Sequence, residues 1–287
     1  MNGENSTSES SGAIWIAFGP EFLLMAIHSA YTFRMKNPGR GTAVVTNMPV
    51  SECRIGETDV FDHVTTVEAE NRQAFQWKLR IDSLAPFDKV IFLDADTEIR
   101  RDMSPVFRLL ERYPLAICPR EKPCNKKGYI WEGELLAEAG LREFNSGVFA
   151  FDRTNDSALA YFERVRAIFD ERNATLGENV DQPSFTAALY QDPTFNYAPL
   201  SVEWNATNRR NEARSFIEKF PDRVGVYHYR EPLRHGDVAR NFVDTAVRVR
   251  LTPHCAEFER IRPRYSWPAR SPVHRALHAS LRFFRRV

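Results

Sequence analysis

Two carboxylates one residue apart, Asp94 and Asp96, stand directly after the apolar run Val90 to Leu93. In open α/β sheets ligands bind beyond the carboxyl ends of strands, so an acidic pair placed there faces a binding crevice and not the core. Carboxylate oxygens suit Mg2+ or Mn2+, and such an ion can bridge a protein to a diphosphate. Asp is also common where strands end in turns or helices begin, so an isolated Asp-x-Asp reads first as a turn or cap. The preceding strand and the helix start downstream at Ser104 favour the metal-diphosphate reading.

Other polar groups could join the pair. The stretch Phe144-Asn145-Ser146-Gly147-Val148 interrupts an apolar run with an amide and a glycine. Asn145 can offer its amide to a hydroxyl, and Gly147 removes a side chain where a substrate must approach the backbone. A simple β-bulge explains the same glycine. Asp181 is either a ligand-binding carboxylate or the N-cap of the next helix, and the two roles can coexist. Lys78 is either a binding cation or a solvated helix lysine.

The elements that must carry these residues alternate between strand and helix. Ala13 to Phe18 reads as a buried strand closed by Gly19-Pro20, and Leu24, Ile27, Tyr31 and Met35 recur at helical spacing up to Asn37-Pro38-Gly39. Thr42 to Thr46 is a second strand, Arg72 to Leu84 a helix, and Lys89 to Leu93 a strand buried on both faces. Ser104-Pro105 reads as cap and first turn of a helix. Leu115 to Cys118 and Phe144 to Phe151 return to the sheet, Ala158 to Arg172 is helical through Tyr161, Val165 and Ile168, and Val224 to Tyr229 is the last strand. The fold class is α/β.

Taken together, these motifs resemble the glycogenin-like family of retaining glycosyltransferases. Lys78-Leu79-Arg80 followed by Lys89 to Asp96 keeps the family's spacing between a donor-contacting lysine and its acidic pair. Phe144 to Val148, Asp181-Gln182 and His228 follow in the family's order. The resemblance spans Ala13 to Tyr229. It implies a GT-A-type, Rossmann-like mixed sheet flanked by helices, and transfer of a hexose from a UDP-sugar with retention of configuration. Asp94, Asp96 and the neutral imidazole of His228 would hold Mn2+ or Mg2+. Lys78, Arg72, Asp94, Ala95, Asn145, Ser146 and Gly147 would meet the donor. Asp181 and Gln182 would form the catalytic pair, Gln182 steadying positive character at the sugar carbon without covalent attack.

Two departures stand out. After His228 the family has a glycine and then Lys-Pro-Trp, whereas this chain reads Tyr229-Arg230-Glu231-Pro232-Leu233-Arg234-His235-Gly236. Arg230 or Arg234 would then replace the phosphate-binding lysine, and His235 competes with His228 as metal ligand. At the first strand, Phe18 stands where the family contacts the base; it either stacks on uracil or belongs to the core.

The sequence sets limits too. A formal charge of +1 over 287 residues gives no basic excess for nucleic acid. No long apolar run suggests a membrane-spanning helix. Residues 1–11 read as a disordered lead without the features of a signal peptide, which implies a cytoplasmic protein. Cys53, Cys118, Cys124 and Cys255 lack metal-site spacing and read as reduced thiols, and the Asn-x-Ser/Thr triplets at Asn5, Asn155, Asn173 and Asn205 as chance matches. Residues 12–260 are expected to form the catalytic domain. Residues 261–287, with seven arginines from Arg262 onward and no acid, form a basic amphipathic tail. That tail would either lie on an anionic membrane, where a lipid-linked acceptor is found, or pack on the domain; glycan and protein acceptors are also open.

Two other functions share these features. A sugar nucleotidyltransferase also sets metal-binding carboxylates on an α/β sheet, but commonly carries a basic glycine-rich loop where this chain has Phe18-Gly19-Pro20-Glu21. A non-catalytic sugar- or membrane-binding protein of the same fold would account for the altered histidine loop.

Overall fold

The computed structural model describes residues 10–49, 60–123, 140–177, 179–207 and 217–229. Arg230, Arg234, His235, the tail 261–287, the lead up to residue 9, and Cys53, Cys124 and Cys255 lie outside them.

The chain opens with β1 (Ser11–Ala17), α1 (Pro20–Lys36), β2 (Gly41–Thr46) and β3 (His63–Thr66). Helices α2 (Ala74–Lys78) and α3 (Ile81–Leu84) lead to β4 (Lys89–Leu93), β5 (Thr97–Ile99) and α4 (Ser104–Leu109). Then come β6 (Leu115–Pro123), β7 (Arg142–Asp152), α5 (Asp156–Leu176), α6 (Gln182–Tyr190), β8 (Tyr197–Pro199) and β9 (Val226–His228). Seven strands form one sheet in the order β3-β2-β1-β4-β7-β6-β8. β3, β2, β1 and β4 run parallel, while β7 runs antiparallel to both β4 and β6. The expected mixed α/β sheet is present, and direction changes beside β4.

Side chains alternate across a strand, and here both faces are apolar. Trp15, Ala17, Ile91, Leu93, Val148 and Ala150 pack with α1 on one side. Ile14, Ile16, Val90, Phe92, Phe149 and Phe151 pack on the other with Tyr161, Phe162, Val165 and Phe169 of α5 and Phe185 of α6. Such a doubly covered sheet holds the ends of β1, β4 and β7 in fixed relation. Helix α5 buries Ala158, Tyr161, Phe162, Val165, Ile168, Phe169 and Arg172, the spacing of one helical face. Asn155 caps it by accepting a hydrogen bond from Ser157 N, and Gly177 ends it in the left-handed conformation at φ 65°.

Local expectations shift in three places. The helix expected over Arg72 to Leu84 is broken into a 3-10 turn, α2 and α3. Arg166 from α5 donates to Leu79 O at 3.0 Å and to Asp82 Oδ1 at 2.8 Å, so a tertiary partner takes the carbonyl at the break. Ser104 is the first residue of α4 and not its cap; Asp102 Oδ1 accepts from both its N–H and its hydroxyl. The last strand is only three residues long and joins β5 in a separate two-stranded sheet. Among the described residues no helix is long and apolar enough to cross a membrane.

Candidate active site

β4 ends at Leu93, and the next peptide is still tied to the sheet, since Asp94 N donates to Gly147 O at 2.8 Å. Asp94 and Asp96 therefore emerge where the parallel half of the sheet meets its antiparallel half. The third acidic-site residue comes from far along the chain. β9 pairs with β5 so that His228 lies opposite Thr97, and Tyr229 N donates to Asp96 O at 2.9 Å. His228 Nε2 ends 3.1 Å from Asp96 Oδ1 and 3.7 Å from Asp94 Oδ2.

The stretch Asn145 to Gly147 reaches this point because β7 bulges. Ile117 of β6 pairs with Phe149, but its neighbour Cys118 pairs with Asn145, so Ser146, Gly147 and Val148 are passed over. The glycine is both a bulge residue and a close approach. A Cβ at Gly147 would lie 2.5 Å from Asp94 Oδ2, 2.5 Å from His228 Cε1 and 3.0 Å from Asn145 Oδ1. Asn145 Oδ1 accepts from Gly147 N at 2.7 Å, which holds the bulge in shape.

Lys78 lies beneath the carboxylates, 4% exposed. Its Nζ is 3.0 Å from Asp94 Oδ1, 3.0 Å from Asp181 Oδ2 and 3.3 Å from Ser146 Oγ, and it sits over the Phe92 ring. Burial works to lower its pKa, but the two carboxylates outweigh that and raise it, so the ammonium stays charged. Asp181 stands at the N-cap position of α6 without a side-chain capping bond, because its carboxylate is turned to Lys78. Gln182, next in the chain, is partly exposed.

Electrostatics at the acidic pair favour added positive charge. Burial, reinforced by Asp96 and Asp181, raises the pKa of Asp94 against the pull of Lys78 and His228. For His228 burial acts downward, yet Asp96 and Asp94 prevail and raise it. Protons and a divalent ion thus compete for the same position. One oxygen from each carboxylate and a ring nitrogen of His228 lie within 4.8 Å of one another, a hard oxygen-rich set with one imidazole. The residues fit Mn2+ or Mg2+. Asn205, read from the sequence only as part of a triplet, stands behind this set: its Oδ1 lies 2.8 Å from His228 Nδ1. An amide oxygen only accepts, so in the neutral ring it takes a hydrogen bond from Nδ1–H and leaves the Nε2 lone pair aimed at the carboxylates.

Three other expected donor residues, Phe18, Ala95 and Arg72, turn their side chains away from the acidic cluster or into the core. Phe18 is 1% exposed and meets Trp77 edge-on within the core, so its ring has no free face for a base. Of the two readings of Phe18, the core one holds. Ala95 is buried in the core beside the acidic turn. The Arg72 side chain is exposed and pairs with Glu70, while its carbonyl accepts from Asn179 Nδ2 at 3.2 Å.

The family model for glycosyl transferase family 8 matches residues 74–234, which is 161 of the 287 residues. No curated protein matches the chain. Among solved structures, the galactosyltransferase LgtC in complex with donor and acceptor sugar analogs is 15% identical, with 84% of this chain and 97% of that one covered at a TM-score of 0.57. Mouse xyloside xylosyltransferase 1 is 13% identical, with 76% and 97% covered at 0.52. The glycosyltransferase GlyE of Streptococcus pneumoniae TIGR4 is 13% identical, with 91% and 66% covered at 0.57. Identities this low speak to the fold alone. Family membership selects the transferase over the nucleotidyltransferase and the non-catalytic binder. With more than half its length matched, the chain belongs to glycosyl transferase family 8 and is a glycosyltransferase of the GT-A fold.

Proposed function

We propose that the protein transfers a hexose from a UDP-sugar to a glycan, lipid-linked or protein acceptor, with retention of configuration and dependence on Mn2+ or Mg2+. The observation that carries this reading is the convergence of Asp94, Asp96 and His228 at the end of β4. Those three side chains hold the ion, which when bound offsets the charge of the leaving diphosphate. Lys78 sets the direction of Asp94 and Asp181 from below, and Asp181 acts through that lysine as a positioning group. Gln182, at the open first turn of α6, offers its amide to positive character at the sugar carbon. Asn145 meets a sugar hydroxyl with its amide N–H groups, Ser146 supports Lys78, and the bare backbone at Gly147 leaves room for the donor. The acceptor attacks from the face the diphosphate leaves, and the donor phosphate takes its proton.

Arg230 or Arg234 supplies the guanidinium that clamps the phosphates, and the tail 261–287 rests on an anionic cytoplasmic membrane surface. Removing residues after Arg270 then lowers binding to anionic vesicles. The central experiment is calorimetric titration of UDP with Mn2+ present and with the metal chelated, followed by a screen of UDP-sugars for metal-dependent hydrolysis. Metal-dependent UDP binding, lost in Asp96→Ala with the circular dichroism spectrum unchanged, supports the reading. Full donor hydrolysis by Asp96→Ala would refute it.

A further inference from the structure

Behind the acidic turn lies a one-way chain of buried hydrogen bonds. Thr97 Oγ1 donates to Asp94 O at 2.8 Å. A hydroxyl has one proton, so the contact between Thr97 Oγ1 and Ser29 Oγ at 2.6 Å is a bond donated by Ser29. Ser29 Oγ in turn accepts from Trp15 Nε1 at 2.8 Å, and an indole can only donate. The direction is therefore fixed from Trp15 through Ser29 and Thr97 to the carbonyl of Asp94. Trp15, Ser29 and Thr97 are all 0% exposed.

The two ends of this chain differ in kind. Trp15 is in the middle of β1, wedged edge-on against Phe33 and Phe61 at 5.8 and 5.9 Å between ring centres. Ser29 is on α1, and Thr32, one turn further on, accepts from Ile99 N at 3.0 Å, so the same helix grips β5 twice. At the other end, Thr97 is the covalent neighbour of Asp96, the bonding partner of the Asp94 carbonyl and the ladder partner of His228. One residue thus touches the backbone frame of all three groups at the acidic site. A fully satisfied polar network inside an apolar core specifies one geometry where an apolar cluster of equal volume would allow several.

We propose that Thr97, backed by Ser29 and Trp15, is a positioning residue that fixes the turn presenting Asp94 and Asp96 to the metal. The inference rests on the reading of Asp94, Asp96 and His228 as metal ligands. Groups that orient metal ligands from behind change metal affinity or activity about 10–100-fold when lost.

The test compares Thr97→Val, Thr97→Ser, Ser29→Ala and Asp96→Ala with the wild type. Mn2+ affinity is read from the electron paramagnetic resonance signal of the free ion in the presence of UDP, against a UDP-only blank, and melting temperature is recorded alongside. Thr97→Val keeps the branched shape and loses the hydroxyl, and is expected to weaken Mn2+ binding about 10–100-fold. Thr97→Ser keeps the donor and stays near wild type; Ser29→Ala, one bond further back, falls in between. A purely structural role lowers the melting temperature of Thr97→Val and leaves its Mn2+ affinity at the wild-type value, and that result overturns the proposal. If Asp96→Ala loses Mn2+ while Thr97→Val keeps it, positioning alone is wrong. If Asp96→Ala also binds as wild type, the metal reading fails and the inference with it. Should Thr97→Val not fold, Ser29→Ala decides by the same comparison.

Discussion

Replacing Gly147 with alanine adds one carbon at the centre of the acidic site. That carbon would lie 2.5 Å from both Asp94 Oδ2 and His228 Cε1, about 1 Å inside the ~3.5 Å at which a carbon comfortably meets another heavy atom. Both clashing atoms belong to side chains and not to backbone, so these groups give way before the fold does. About 1 kcal/mol, the low end for overpacking, corresponds to a melting shift of roughly 2–4 °C. The cost to chemistry is larger, because the side chains that must move are the metal ligands and each is already held. Asp94 is pinned by Lys78 at 3.0 Å, and His228 by Asn205 at 2.8 Å. A misplacement of ~1 Å at a reacting centre costs about 100-fold in rate, or ~2.7 kcal/mol of transition-state stabilisation. The expected signature is a kcat/KM for UDP-sugar hydrolysis down about 100-fold beside a nearly unchanged melting curve. Wild-type turnover and Mn2+ affinity in Gly147→Ala would mean that the three groups do not meet around this glycine in the working enzyme.

Three further outcomes are expected. Lys78→Met leaves the Asp181 carboxylate buried without its cation and should cost about 3–5 kcal/mol in urea unfolding, well beyond a surface lysine. Asn205→Ala removes the acceptor at His228 Nδ1 and should weaken Mn2+ binding about 10–100-fold while the circular dichroism spectrum stays the same. Glu98, despite the opposing effect of burial, is held at a pKa of about 2 by the His28 imidazole 3.7 Å away, the hydrogen bond from Tyr229 and the charge of Arg100, against the usual 4.5. A depressed carboxylate adds stability above its unfolded pKa, so the advantage of wild type over Glu98→Gln, about 3 kcal/mol at neutral pH, should fade as pH falls from 4.5 towards 2. A pH-independent difference in acid unfolding would contradict the assignment.

The sheet was legible in the sequence because its central strands are apolar on both faces and end in punctuation that physics makes strong. Val90 to Leu93 followed by two aspartates, and Gly19-Pro20 after Phe18, needed only burial and turn chemistry to interpret. The acidic pair and Gly147 could be read for the same reason. β5 and β8 could not, since three residues carry no period, and although a last strand could be read over Val224 to Tyr229, its pairing with β5 is decided by tertiary partners. Phe18 stayed ambiguous because a strand-end aromatic can face either way; Trp77 and the core settle it. Asn205 gave no local signal at all: its role exists only once β9 has brought His228 beside it. The break after Lys78 was hidden likewise, because Arg166 reaches it from 87 residues away.

The pairing of β5 with β9 sets a schedule for assembly as well as a geometry. Tyr229 and Glu98, bonded at 2.6 Å, are 131 residues apart in sequence, whereas β1 and β2 meet over the span from Gly12 to Gly41. Loop-closure entropy makes the longer contact about 1.3 kcal/mol more costly to form first. Long-range contacts of this kind gain little until the core has brought their ends together. A nascent chain can therefore complete its sheet and hold both aspartates in place while the imidazole is still absent. Catalytic competence would then be the last property the molecule acquires on folding and the first it loses when β9 peels away.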